Sequence, residues 1–122
     1  MKFSRDDTTE LTFRCVEAGA LTLGADPLTA DVALTAERIL RDWVVPAIGE
    51  LTIDDLDTLL AERPEVIVLG TGRQHRFPPK ELMFALARRG IGLETMDTRA
   101  ACRTFNILVA EGRRPAAVLV VD

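Results

Sequence analysis

Gly70-Thr71-Gly72 runs directly into Arg73, and His75 and Arg76 fall in the same polar stretch. Glycines in such a turn let backbone N–H groups point at an anion, and arginines add charged donors, so these residue types suggest recognition of a phosphate or carboxylate. A dinucleotide fingerprint would need a third glycine where His75 stands, and a P-loop would need a Gly-Lys-Ser or Gly-Lys-Thr that does not follow. Two readings remain: an anion-binding turn, or a tight strand-to-helix connection with a solvated basic surface. Arg99, Arg103 and Asn106 lie at spacings of four and three, hence on one helical face. If the start of that helix converges with the turn, Thr71, Arg73, Arg99, Arg103 and Asn106 line a small cationic cleft. Otherwise the arginines pair with Glu94, Asp97 and Glu111 on the surface. The candidate binding residues are therefore Gly70, Thr71, Gly72, Arg73, Arg99, Arg103 and Asn106.

No complete catalytic constellation accompanies them. Cys102 in the first turns of a helix and the sole histidine, His75, would make a nucleophile pair only if the fold brought them together. Glu94 and Asp97 could imitate paired carboxylates, although a strand-end acid beside a helix cap is commonly structural. One His and two separated Cys do not make a metal ligand set, so neither metal nor cofactor is expected. Trp43 reads as core or as a partner-facing anchor.

The elements that must position these residues follow from periodicity and punctuation. Alternation from Leu11 to Val16 and again from Leu21 to Gly24, with Glu17 to Ala20 between, predicts an antiparallel hairpin. A short strand is expected at Asp31 to Leu34, while Ala36 to Val45 fits either helix or extended chain. Thr52 as cap, Asp54 and Asp55 in the first turn, and Leu51 stapled on Leu56 predict a helix from Ile53 to Glu62, closed by Pro64. Val66 to Leu69 is apolar on both faces and reads as an interior strand. A helix over Pro79 to Arg89 is expected to turn Leu82, Met83, Leu86 and Ala87 inward and to end at Gly90. A strand at Ile91 to Met96 completes a parallel βαβ unit. Asp97 or Thr98 caps a helix through Ala110, with Ala101, Phe105 and Leu108 inward and Gly112 at its end. Pro115 to Val121 is apolar throughout and should be a central strand. Both the Gly-Thr-Gly turn and the helix after Asp97 begin at the carboxyl ends of strands, where open α/β sheets bind ligands.

A chain of 122 residues reads as one α/β domain, 1–122, with an antiparallel N-terminal hairpin and polar residues 1–9 frayed. A net charge of −4 argues against nucleic acid as a partner, since phosphate neutralisation needs clustered Lys and Arg. Most basic residues nevertheless follow Gly70, which favours a small anionic ligand or an acidic protein patch as the partner of one cationic edge. Neither a signal-peptide pattern nor a spanning apolar run is visible, so the expectation is a cytoplasmic protein with no membrane insertion and with Cys15 and Cys102 reduced.

Trp43, Val66 to Gly72, Glu94 to Thr98, Ala101 to Leu108 and Glu111 to Arg114 together resemble the small proteins similar to mitochondrial respiratory complex I assembly factor 3, which include stand-alone bacterial members. The resemblance spans roughly residues 11–121. It implies a three-layer α/β domain around a mixed, mostly parallel sheet, with the last strand inserted centrally and antiparallel, and no established catalytic residues. Together with the absence of a complete catalytic constellation, the resemblance leads to the expectation of a non-enzymatic binding or assembly factor, and the residues place the surface it presents to a protein partner at the Gly70 to Arg76 loop and an Arg99, Arg103, Arg113 edge. The alternative is a small-anion or nucleotide-binding protein, with or without catalysis, that uses the same loop.

Overall fold

Val66–Gly70 forms a strand buried along its whole length, as an apolar run covered on both faces must be. In the computed structural model, residues 30–40 and 46–122 are described in full, together with the backbone of three short strands before them. Those three, β1 (Phe13–Cys15), β2 (Leu21–Leu23) and β3 (Asp26–Pro27), make a small antiparallel sheet, with Phe13 opposite Leu23 and Cys15 opposite Leu21. The expected hairpin is therefore present. Its turn, residues 1–9, which were expected to fray, and Trp43 lie outside the described residues.

The second sheet contains β4 (Val32–Thr35), β5 (Ile39–Leu40), β6 (Val66–Gly70), β7 (Gly92–Met96) and β8 (Pro115–Leu119), in the order β5-β4-β8-β6-β7. Within the ambiguous stretch after Ala36, Ile39–Leu40 is extended and pairs with Leu34 and Ala33. β6 and β7 are parallel, joined through α2 (Lys80–Arg88). β8 is central, as expected. It is antiparallel to β4 but parallel to β6, with Val66 opposite Pro115 and Gly70 opposite Leu119. The antiparallel orientation implied by the resemblance thus holds only toward β4. The crossover through α3 (Thr98–Ala110) carries the chain back along the sheet, so β8 must start at the same end as β6.

Strand pleating divides the core. Val68, Ala117 and Leu119 face α3, where Ala101, Cys102 and Phe105 cover them; β1 lies against the same helix. Ile67, Leu69, Ala116 and Val118 face Leu82 and Leu86 of α2 together with Leu51, Leu56 and Leu59. The result is a three-layer α/β domain around a mixed sheet.

The segment expected as one helix from Ile53 to Glu62 is a 3-10 turn, Asp54–Leu56, continued by a single α turn, α1 (Asp57–Leu60). Its cap is reciprocal: the Thr52 N–H donates to Asp55 Oδ2 at 2.9 Å while the Asp55 N–H donates to Thr52 Oγ1. In α2 only Leu82 and Leu86 are buried. Met83 and Ala87 were expected inward and are exposed, because at about 100° per residue they lie on the flank of a stripe centred on Leu82 and Leu86. Gly90 and Gly112 take φ of +74° and +79° and terminate α2 and α3 as expected.

Candidate functional site

The Gly-Thr-Gly turn sits where β6 ends beside the start of α3, and its chemistry is set by what already touches it. A Cβ on Gly70 would lie 2.9 Å from Thr98 Cα and 3.0 Å from both Ala101 Cβ and Leu119 Cδ2. The glycine at this position therefore lets α3 rest directly on β6. Thr71 is fully buried. Its Oγ1 donates to the Gln74 carbonyl at 2.7 Å and accepts the Arg76 N–H at 2.9 Å, closing the loop on itself.

The N–H groups of Thr71, Gly72 and Arg73 each have a protein acceptor. Thr71 donates to the Met96 carbonyl at 2.9 Å, Gly72 to Thr98 Oγ1 at 2.8 Å, and Arg73 to Asp122 Oδ1 at 2.8 Å. Thr98 Oγ1 donates onward to the Val120 carbonyl at 2.6 Å, and the Thr98 N–H donates to the Gly72 carbonyl at 2.9 Å. Thr98 thus ties the turn, the start of α3 and the end of β8 together. It was expected only as a possible cap. The cap is Asp97, which accepts the Ala100 N–H at 2.9 Å.

Arg73 and Arg76 converge on Asp122. Arg73 Nε donates to the Asp122 backbone carbonyl at 3.1 Å, and Arg76 Nη1 reaches Asp122 Oδ2 at 3.3 Å while also donating to the Thr71 carbonyl at 3.0 Å. Arg99, Arg103 and Asn106 lie farther along α3. The two arginines are exposed and Asn106 is half-buried, on the flank away from Cys102 and Phe105, which are buried in the core. Ion pairs join Arg38 to Glu62, Arg113 to Glu65 and Arg76 to Asp122. Arg113 follows the C-terminal end of α3, a helix about 20 Å long, and so stands at the opposite end of the sheet from the turn. His75 Nε2 bonds Thr95 Oγ1 at 2.8 Å, and its ring lies 4.5 Å from that of Phe77, so it forms no pair with the buried Cys102. Phe77, in the loop before α2, and Phe84, on the outer side of α2, are 72% and 60% exposed. Among the described residues no group of His, Cys, Asp and Glu could hold a metal ion. A cavity of about 140 Å³ lies at the opposite end of the sheet, lined by Thr35, Glu37, Glu62, Pro64 and Arg114 among others.

Two carboxyls are held below their ordinary values. The Arg73 backbone N–H is the main cause at Asp122, helped by the Arg76 guanidinium, and the Arg114 N–H, 2.9 Å from Oε1, is the main cause at Glu65. A carboxyl depressed in the folded state stabilises the fold above its unfolded value, and that contribution is lost as pH falls through the folded value. Urea midpoints are therefore expected to drop between pH 7 and pH 3. The Asp122→Asn, Glu65→Gln double variant should lose part of that slope; an unchanged slope would show that neither carboxyl contributes.

Comparison with known proteins adds a family. Residues 13–120 match the family described as protein of unknown function, DUF498/DUF598. A Francisella tularensis protein named 13 kDa major membrane protein is 37% identical over 103 residues, covering 84% of each chain. NADH dehydrogenase (ubiquinone) 1 alpha subcomplex assembly factor 3 of Xenopus tropicalis is 30% identical over 122 residues, covering 98% of this chain and 66% of that protein. The chain thus spans just under two thirds of the length of this vertebrate relative. A Xanthomonas campestris protein solved by NMR superposes with a TM-score of 0.80 at 34% identity, covering 98% of this chain and 92% of the other. Among the described residues no helix is long and apolar enough to cross a membrane. With the match running from the first described strand, β1, to the last, β8, the chain belongs to the DUF498/DUF598 family.

Proposed function

We propose that this chain is a non-enzymatic, cytoplasmic assembly factor that binds a protein partner on the side carrying the Gly70 to Arg76 loop and α2, with Arg99 and Arg103 at its border. The observation that carries this reading is the exposure of Phe77 and Phe84, at 72% and 60%, next to Lys80, Arg88 and the loop arginines. Exposed aromatics rimmed by charge are the usual anchors of protein interfaces. The likeness to assembly factor 3 of Xenopus tropicalis supports it, since that protein's name specifies assembly of a multisubunit enzyme. Arg113 is left out of this face because it belongs to the opposite end of the sheet. Nucleic acid is not the partner in this reading, given a net charge of −4.

The test is affinity capture under native conditions with the tagged chain and with a Phe77→Ser, Phe84→Ser double variant. Both phenylalanines are solvent-facing, so the variant is expected to unfold within about 0.5 kcal/mol of the parent. A stoichiometric protein held by the parent and lost by the variant is the expected result. Recovery of no stoichiometric partner, or equal recovery by both chains, would overturn the reading.

A further inference from the structure

We propose that Gly72, Arg73 and Arg76 form a carboxylate-binding cradle, occupied here by Asp122, which an external carboxylate takes over by exchange. The cradle is shaped for such a group. A Cβ on Gly72 would lie 2.5 Å from Asp122 Oδ2 and 2.9 Å from its Cγ, so the carboxylate fills the space that any other residue's side chain would need. Gly72 also has φ of +105°, a conformation that only glycine adopts readily. The two oxygens have separate donors, the Arg73 N–H on Oδ1 and Arg76 Nη1 on Oδ2. Neither donor depends on Asp122 for its position. The Arg73 amide follows Gly72, which is pinned to Thr98 through both its N–H and its carbonyl. Arg76 is held twice by the buried Thr71, through its N–H and through Nη1.

The occupant, by contrast, is exposed. Asp122 lies beyond the last residue of β8, its side chain 40% exposed, and an exposed ion pair is a weak one. The preceding residue is anchored separately, since the Val121 N–H donates to Asp31 Oδ1 at 2.8 Å. The Asp122 side chain can therefore swing away without detaching the strand end, leaving a preorganised site for a free carboxylate or for an acidic residue of a partner protein. This inference uses the loop of the proposed partner face, but its test needs no partner, so failed capture and a failed cradle are distinguishable.

The experiment is an NMR titration of the full chain carrying Asp122→Ala with sodium acetate, at ionic strength held constant with sodium chloride, read at the Arg73 amide. A saturable shift is expected, with half-saturation on the order of 100 mM, the weak range of an exposed charge pair. The parent protein should show little shift over the same range, because Asp122 competes within the molecule. Adding Arg76→Gln should remove most of the response. A second arm compares end-blocked Gly-Asp-Gly with Gly-Asn-Gly. Binding of the aspartate peptide about tenfold tighter than acetate identifies a protein segment as the source, and equal binding identifies a free carboxylate; either supports the cradle. An Arg73 amide that does not move, that moves equally in chloride, or that ignores Arg76→Gln overturns it. Should Asp122→Ala perturb the fold, Asp122→Asn is titrated in its place, since it keeps the side-chain volume and removes the charge; the same criteria apply.

Discussion

Replacing Thr98 by valine is expected to lower stability by about 2–4 kcal/mol, because two buried or partly buried backbone groups lose their partner at once. The exchange preserves shape and removes only the hydroxyl. Thr98 Oγ1 accepts the buried Gly72 N–H at 2.8 Å and donates to the Val120 carbonyl at 2.6 Å, and Thr98 itself is nearly inaccessible to water. No solvent molecule can substitute without reopening the junction of β6, β8 and α3. For a chain of this length about 1 kcal/mol corresponds to about 4 °C in Tm, so a fall of about 8–16 °C is expected in a thermal scan. Thr98→Ser keeps the oxygen and loses a methyl group, and should stay within about 1.5 kcal/mol of the parent. Equal behaviour of the valine and serine variants would mean that the hydroxyl is not what joins these elements.

Gly70→Ala is expected to cost about 1–3 kcal/mol through overpacking, although alanine is ordinarily the better residue in a regular element. The new Cβ would stand 2.9 Å from a backbone atom, Thr98 Cα, and 3.0 Å from Ala101 Cβ and Leu119 Cδ2. A backbone atom of a helix cannot rotate away, so α3 must lift from the sheet and loosen the layer that contains Cys102 and Phe105. Gly92→Ala is the matched control. Its Cβ would meet only the Val66 side chain, at ordinary contact distances of 3.6 Å to Cγ2 and 3.9 Å to Cβ, so it should be neutral or stabilise by up to about 1 kcal/mol. If the two alanine variants melt together, the close approach of α3 to β6 is not structurally required.

Most of the fold was legible because local signals agreed with one another. Val66 to Leu69 had to be interior because it is apolar on both faces, and it is buried throughout. Asp97, Gly90 and Gly112 marked helix ends through chemistry that needs no distant partner: a side-chain oxygen over an open N–H, and a residue tolerant of positive φ. The direction of β8 relative to β6 was not legible in this way: the resemblance implied an antiparallel last strand, and β8 runs parallel to β6. Local signals failed where two faces of one helix compete. Met83 and Ala87 have the composition of core residues but lie beside a buried stripe that Leu82 and Leu86 already fill.

The candidate turn was less legible, for a physical reason. Residue types alone announced donors, namely glycine N–H groups and arginines, and the chain itself determined that these would gather at the end of β6. Whether a donor is free depends on acceptors that arrive from elsewhere in the chain. Met96, Thr98 and Asp122 come from the end of β7, the start of α3 and the residues beyond β8, and only packing brings them to Thr71, Gly72, Arg73 and Arg76. Likewise, no spacing rule distinguishes Gly70, which admits a helix, from Gly72, which admits a carboxylate, because both roles rest on what lies within 3 Å of an absent Cβ. Sequence therefore determined the class of fold and the location of the cationic turn. Tertiary structure decided what each of its hydrogen bonds is used for, since hydrogen bonding between segments distant in sequence is a property of their meeting in space.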